Sequence, residues 1–131
     1  MAYRIDANDL SKTVSGLINR FGEAADTVMA EAVWRTAGQA VKELKKGGKF
    51  GGTGEYNRSW SRTMERKRLY AAARVYNKDH YRLTHLLEFG HAKVNGGRTT
   101  AYPHIEPVNE MVEELFVDNF TDLLAEELTK V

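Results

Sequence analysis

Apolar residues at Leu10, Val14, Leu17, Phe21, Ala25, Val28, Ala32, Ala40, Val41 and Leu44 recur mostly at steps of three or four. That spacing draws one apolar stripe along a single helix. Asn8 or Asp9 is the expected cap, because a short side-chain oxygen accepts free first-turn amides. The segment "KKGG" ends the pattern, with cations near the negative helix end and glycines free to turn left-handed. An unbroken helix from 9 to 46 would be about 57 Å long at ~1.5 Å per residue. That is long for a chain of 131 residues, and Gly16, Gly22 and Gly38 lie inside it. A kink or break near Gly22 is therefore expected.

The rest of the chain changes period. "AYRID" before the helix reads as a short strand or arm. "KKGGKFGGTGE" is rich in glycine and lysine and reads as a mobile basic loop over about 47–54. In the next segment Trp60 and Met64 alternate with Ser59, Ser61 and Thr63, and Leu69, Ala71, Ala73 and Val75 alternate with Tyr70, Ala72, Arg74 and Tyr76. A period of two marks two strands, with "ERKR" as the polar turn between them. "DHYRLTHLLEFG" reads as one short helix, capped by Asp79 and stopped by Gly90. A loop with Asn95-Gly96-Gly97 at its tip leads to Pro107, which opens the last helix where a missing amide costs nothing. Val108, Met111, Val112, Leu115, Phe116, Phe120, Leu123, Leu124 and Leu128 give that helix its apolar face. The order is long helix, hairpin, short helix, loop, helix. The expected fold class is α+β, in a single domain over 1–131 without repeats.

With no cysteine, disulfides, thiolate metal sites and cysteine nucleophiles are excluded. No apolar run approaches the ~20 residues of a membrane span, and "MAYRIDAND" has no signal-peptide core. The expectation is a protein made and used in solution. A net charge of +1 hides a strong split. Residues 42–74 carry ten Lys and Arg against three Glu, whereas residues 105–131 carry eight Asp and Glu against one Lys.

Four chemical readings compete for these residues. His85, Glu88 and His91, joined by His80 or His104, suggest a zinc-type ligand set. The spacing differs from His-Glu-x-x-His, and His91 follows a glycine that ends the helix, so capping and hydrogen-bonding roles are preferred. The serines of "RSWS" sit in a strand without a nucleophile elbow. "GGKFGGTGE" lacks the Gly-Lys-Ser/Thr ending of a phosphate loop. Nucleic acid is the stronger alternative: Lys42, Lys45, Lys46, Lys49, Arg58, Arg62, Arg66, Lys67, Arg68 and Arg74 are interleaved with Phe50, Tyr56, Trp60 and Tyr70. Cations suit phosphates and aromatic rings suit bases. Against it, alternation would bury Trp60 while the basic residues face water, and no recognised binding motif accompanies them.

Two blocks of the sequence resemble a siphophage tail-component family of head–tail connector, or tail-completion (neck), proteins. "GTGEYNRSW" matches the first family block at Gly54, Tyr56, Arg58 and Ser59. "YNKDHYRLTHLLEFGHAKVNGGRTTAYPHIEPVNEMVEE" matches the second at Tyr81, Leu86, Leu87, Glu88, Phe89, Gly90, His91, Pro103, His104, Ile105 and Pro107. Val108 departs from the alanine found in many members. The resemblance spans about Gly54 to Glu114.

It implies a virion structural protein without catalysis or cofactor, a minor tail component made in the host cytoplasm and carried in the neck. It would be one subunit of a hexameric ring between head-side adaptor proteins and the tail tube or its terminator, in transient contact with phage DNA. Its histidines would then be a fold signature. In physical terms Gly54 would turn the loop into the first strand, and Glu88, opposed to its own helix dipole, needs a cation or amide partner. Phe89 would pack under the loop, Pro103 and Pro107 would set the approach to the last helix, and His91 would anchor the loop. A ring needs two different surfaces on each copy. Lys45, Lys46 and Lys49 against Glu113, Glu114 and Asp118 is the charge pairing on offer. The alternative is a small nucleic-acid-binding or metal-dependent phage protein using the basic hairpin or the His85/Glu88/His91 cluster.

Overall fold

The long apolar stripe folds as one unbroken helix, α1 (Ala7–Lys46), with no interruption at Gly22. The computed structural model describes residues 7–46 and 53–130, with the side chains of 7–11, 13, 14 and 17 excepted. The segment read as a strand or arm, most of the glycine-rich loop, Lys49 and Phe50 all lie outside the described residues. The helix already includes Ala7, so Asn8 and Asp9 fall inside its first turn rather than before it.

After α1 come a one-turn helix α2 (Glu55–Arg58), strands β1 (Trp60–Lys67) and β2 (Tyr70–Asn77), a 3₁₀ turn (Tyr81–Leu83), α3 (Thr84–Phe89) and α4 (Ile105–Thr129). The class is α+β, with a two-stranded antiparallel sheet. Gly54 therefore opens a helical turn, not the first strand. The register pairs Trp60 with Asn77 and Lys67 with Tyr70, so Glu65, Arg66 and Lys67 belong to β1 and the turn is Arg68-Leu69. The polar run "ERKR" hid this, because a strand edge in water tolerates charge as readily as a turn does. Leu69 takes the left-handed φ of 57° and is 62% exposed, so it does not continue the inward alternation. Asp26 on α1 holds this turn: its Oδ1 accepts the Leu69 N–H at 3.0 Å, and its Oδ2 lies 4.0 Å from Arg66.

α1 and α4 run antiparallel. Leu123 packs on Val28 and Ala32, while Val108 packs by Leu44 near the other end. Along the seam Ala32 is fully buried under Leu123, and Ala40 is buried further along α1, near Val108 and Val112. Small side chains allow close approach of the backbones. Midway, buried Asn119 donates to Thr36 Oγ1 at 3.0 Å and to Gln39 Oε1 at 2.7 Å, and Thr36 in turn donates to the Ala32 carbonyl at 2.7 Å. A second cluster gathers Leu44, Tyr56 and Trp60, with Val41, Val75, Leu87, Ile105 and Val108 against it.

With Leu123 opposite Val28, and α4 ending at Thr129, the part of α1 before about residue 22 runs past its partner helix. Phe21, expected in the stripe's buried face, is accordingly 62% exposed, as is Ile18 at 65%. Met111 and Leu128 of α4 are also exposed. Phe89 is 68% exposed and does not pack under the loop. It sits at the last position of α3, one residue after the side chain that α3 buries. Leu123→Ala should lower stability by about 2–5 kcal/mol in denaturant melts. Phe89→Ala should stay within about 0.5 kcal/mol of the parent. Equal losses for the two would contradict this assignment of core and surface.

Candidate functional site

Glu88 near the end of α3 is 5% exposed, and its carboxylate enters the N-terminus of α4. Oε1 accepts the backbone N–H of His104 at 2.7 Å and of Ile105 at 2.8 Å, and Oε2 accepts that of Glu106 at 3.0 Å. A helix leaves its first four N–H groups without intrahelical partners. Here three are taken by one carboxylate, and the fourth position is Pro107, which has none. Pro107 is thus the third residue of α4 rather than its first. The amide partner expected for Glu88 is the start of the next helix, whose dipole favours a negative charge there.

His104 completes the joint. Its Nδ1 lies 2.7 Å from the Tyr102 carbonyl and 3.0 Å from Glu88 Oε1. A carbonyl oxygen only accepts, so Nδ1 carries the proton. In the neutral ring Nε2 then accepts the Tyr56 hydroxyl proton, at 2.8 Å. Tyr56 and Trp60 are buried and meet edge to face at 5.8 Å, with the imidazole against both rings. Burial, then the charge of Glu88, pushes the Tyr56 hydroxyl up to about 12. For Glu88 burial alone acts upward, but the three amide bonds and the neighbouring His104 outweigh it and hold the carboxyl below its ordinary range.

The first block reaches this joint through a tight local fold. Gly54 has φ 76°, a left-handed conformation that suits glycine. Arg58 folds back, with its Nη1 donating to the Thr53 carbonyl at 3.0 Å. Ser59 Oγ donates to the Glu55 carbonyl at 2.8 Å and lies 3.3 Å from Asp79 Oδ2, which can share the same proton. Asp79 is therefore not a helix cap. Asn77, 1% exposed, links the halves: Nδ2 donates to the Tyr56 carbonyl and Oδ1 accepts the His80 N–H, both at 2.8 Å. The sequence reading missed Asn77; its one signal was the turn-forming run Asn77-Lys78-Asp79.

The second block supplies a pinned loop. Gly90 has φ 71°, and a Cβ there would meet the Thr99 carbonyl at 2.6 Å, so both conformation and space demand glycine. The His91 N–H donates to Thr99 Oγ1 at 2.9 Å, and the Thr99 N–H returns to the His91 carbonyl at 2.8 Å. His91 is a loop anchor in this geometry, with its side chain exposed. The Tyr102 N–H reaches the Leu87 carbonyl at 2.7 Å. Leu86 and Leu87 are half-buried; Tyr81, Pro103 and Pro107 are exposed.

Of the residues first read as a ligand set, Glu88 and His104 meet at the joint, while the others stand apart from them. His85 is exposed on α3, His91 sits in the loop, and Glu88 is fully engaged by amides. Among the described residues no group of three or more His, Asp or Glu side chains is arranged to hold a metal. The basic hairpin is divided too. Arg62 stacks on Trp34 of α1 at 3.6 Å and donates to its carbonyl, and Arg66 turns to Asp26. Lys67 and Arg74 belong to the opposite face of the sheet. Lys45 and Lys46 are exposed at the end of α1, with Lys46 3.3 Å from Glu43. Glu113, Glu114 and Asp118 line the exposed side of α4.

What the arrangement does chemically is to bury a negative charge and lock two helices to the sheet. Because the folded carboxyl of Glu88 binds its proton more weakly than the unfolded chain does, its stabilisation is full above the ordinary glutamate value of about 4.3. It is lost as pH falls through the lower folded value. Glu88→Gln should cost about 1.5–3 kcal/mol at pH 7, the range for bonds to a charged group. Its melting curve should converge on the parent's as pH falls through the lowered folded value of the Glu88 carboxyl. A gap independent of pH would show that the charge plays no part. Prolonged treatment with EDTA should leave the melting temperature of the purified chain unchanged, and a clear drop would restore the metal reading. Comparison with protein-family models, characterised proteins and solved structures gives no significant match to this chain.

Proposed function

We propose that this chain is a structural subunit of a siphophage neck, completing the tail or joining it to the head as part of a ring, without catalysis or cofactor. The observation that carries the reading is the meeting of the two blocks on which the resemblance rests. Tyr56 of the first bonds His104 of the second at 2.8 Å, and His104 sits against Glu88, the acid of the same second block. Residues spread over about half the chain converge on one joint, as a fold signature would. Their polar groups are spent on that joint. Tyr56 bonds the imidazole, Ser59 bonds a carbonyl, and Glu88 is saturated by amides, which leaves no poised nucleophile or base among them. Hexameric order, the head-side adaptor and the tail tube or terminator as neighbours, transient contact with DNA, and residence in the virion all follow from the resemblance.

Deleting the gene from the phage or prophage that encodes it should yield DNA-filled heads and separate tails by electron microscopy. Supplying the purified chain to that lysate should restore joined, infectious particles. Normal particles from the deletion would sink the proposal.

A further inference from the structure

A groove of about 600 Å³ runs between the middle of α1 and β1. Its floor holds Trp34, with the Arg62 guanidinium stacked on the indole and lying over Gly38. A Cβ at Gly38 would come within 2.5 Å of the Arg62 Nη1, so glycine here makes room for the stacked cation. Glu31, Arg35, Lys42 and Lys45 supply the charged groups along its rim. Arg35 pairs with Glu31 at 3.3 Å, but Lys42 and Lys45 have no ion-pair partner among the described residues. The groove is thus a partly apolar seat with uncompensated positive charge.

The exposed side of α4 is its counterpart. Val117, 53% exposed, is neighboured one turn away by Glu113 and Glu114 and directly by Asp118, all exposed. None of these carboxylates has an ion-pair partner among the described residues. An apolar centre with an acidic border thus stands opposite in character to an indole with a cationic border.

We infer that the α1–β1 groove of one copy receives the acidic face of α4 from a second copy of this chain. The inference rests on the ring reading above and names its contact. Desolvated tryptophan and arginine are the residue types that dominate interface energetics, and the charges set register and partner. The two surfaces are different, so each copy both gives and receives, which is the heterologous contact that closes a ring. Of the lysines first considered, Lys45 belongs to this contact. Lys46 does not line the groove and serves as a control.

The test is sedimentation velocity of the full chain in low salt. Wild type and Lys46→Glu should self-associate. Lys42→Glu/Lys45→Glu and Glu113→Lys/Glu114→Lys should each remain folded by circular dichroism and associate roughly a hundredfold more weakly or worse, from like charges set face to face. A one-to-one mixture of the two variants should associate again, because every groove then faces a helix of opposite charge. A mixture that stays monomeric, or a wild type monomeric at all concentrations, overturns the contact. Variants that associate as wild type does overturn it while leaving the ring reading intact. Recovery in the mixture with open-ended growth rather than a closed species upholds the contact and removes the ring.

Discussion

A buried carboxylate makes sense only when its lone pairs are occupied, and Glu88 meets that demand by ending one helix at the start of another. An ionised group out of water without partners would be driven to neutralise or to unfold its surroundings. Three amides from α4 and the imidazole of His104 remove that cost. The geometry fixes more than a helix cap. It sets the direction of α3, the length of the loop that Gly90 and Thr99 pin, and the depth at which α4 begins. Through His104 it fixes Tyr56, through Tyr56 and Asn77 the end of the hairpin, and through Trp60 the second core cluster. The second apolar cluster thus shares its frame with this electrostatic joint, through Tyr56, Trp60 and Ile105.

The large periodic elements were legible in the sequence because period reports burial directly. The stripe from Val28 to Leu44, the alternation of Trp60, Met64, Ala71, Ala73 and Val75, and most of the α4 face could be read that way. What could not be read followed from partners distant in sequence. Phe21 lies on the stripe, but nothing tells the chain that α4 will end too soon to cover it. Asn119 interrupts the apolar face of α4 because Thr36 and Gln39, about eighty residues earlier, wait for it. Phe89 looked like core from its neighbours, yet α3 buries Glu88 instead. Local pattern gives a residue's face; only tertiary context says whether that face has a partner.

The same logic separates the charges. A run of cations in sequence became two sets, because strand alternation sends Arg62 and Arg66 to α1 and leaves Lys67 and Arg74 on the other side of the sheet. The joint was legible in part. Glu88 called for a partner on dipole grounds, and the partner turned out to be backbone rather than a cation. The role of His104 was not legible, since it needs Tyr56 from forty-eight residues earlier.

The seam between α1 and α4 also sets a timetable. Thr36 and Asn119 are separated by 83 residues, so closing the contact that covers Ala32 must overcome a large loop entropy. The β1–β2 hairpin, with its two-residue turn, is the local alternative and can form early. A chain emerging from the ribosome thus presents the alanine-lined side of α1 uncovered until α4 has been made. The seam, and with it the joint of Glu88 and the start of α4, can therefore close only after the last helix has been synthesised.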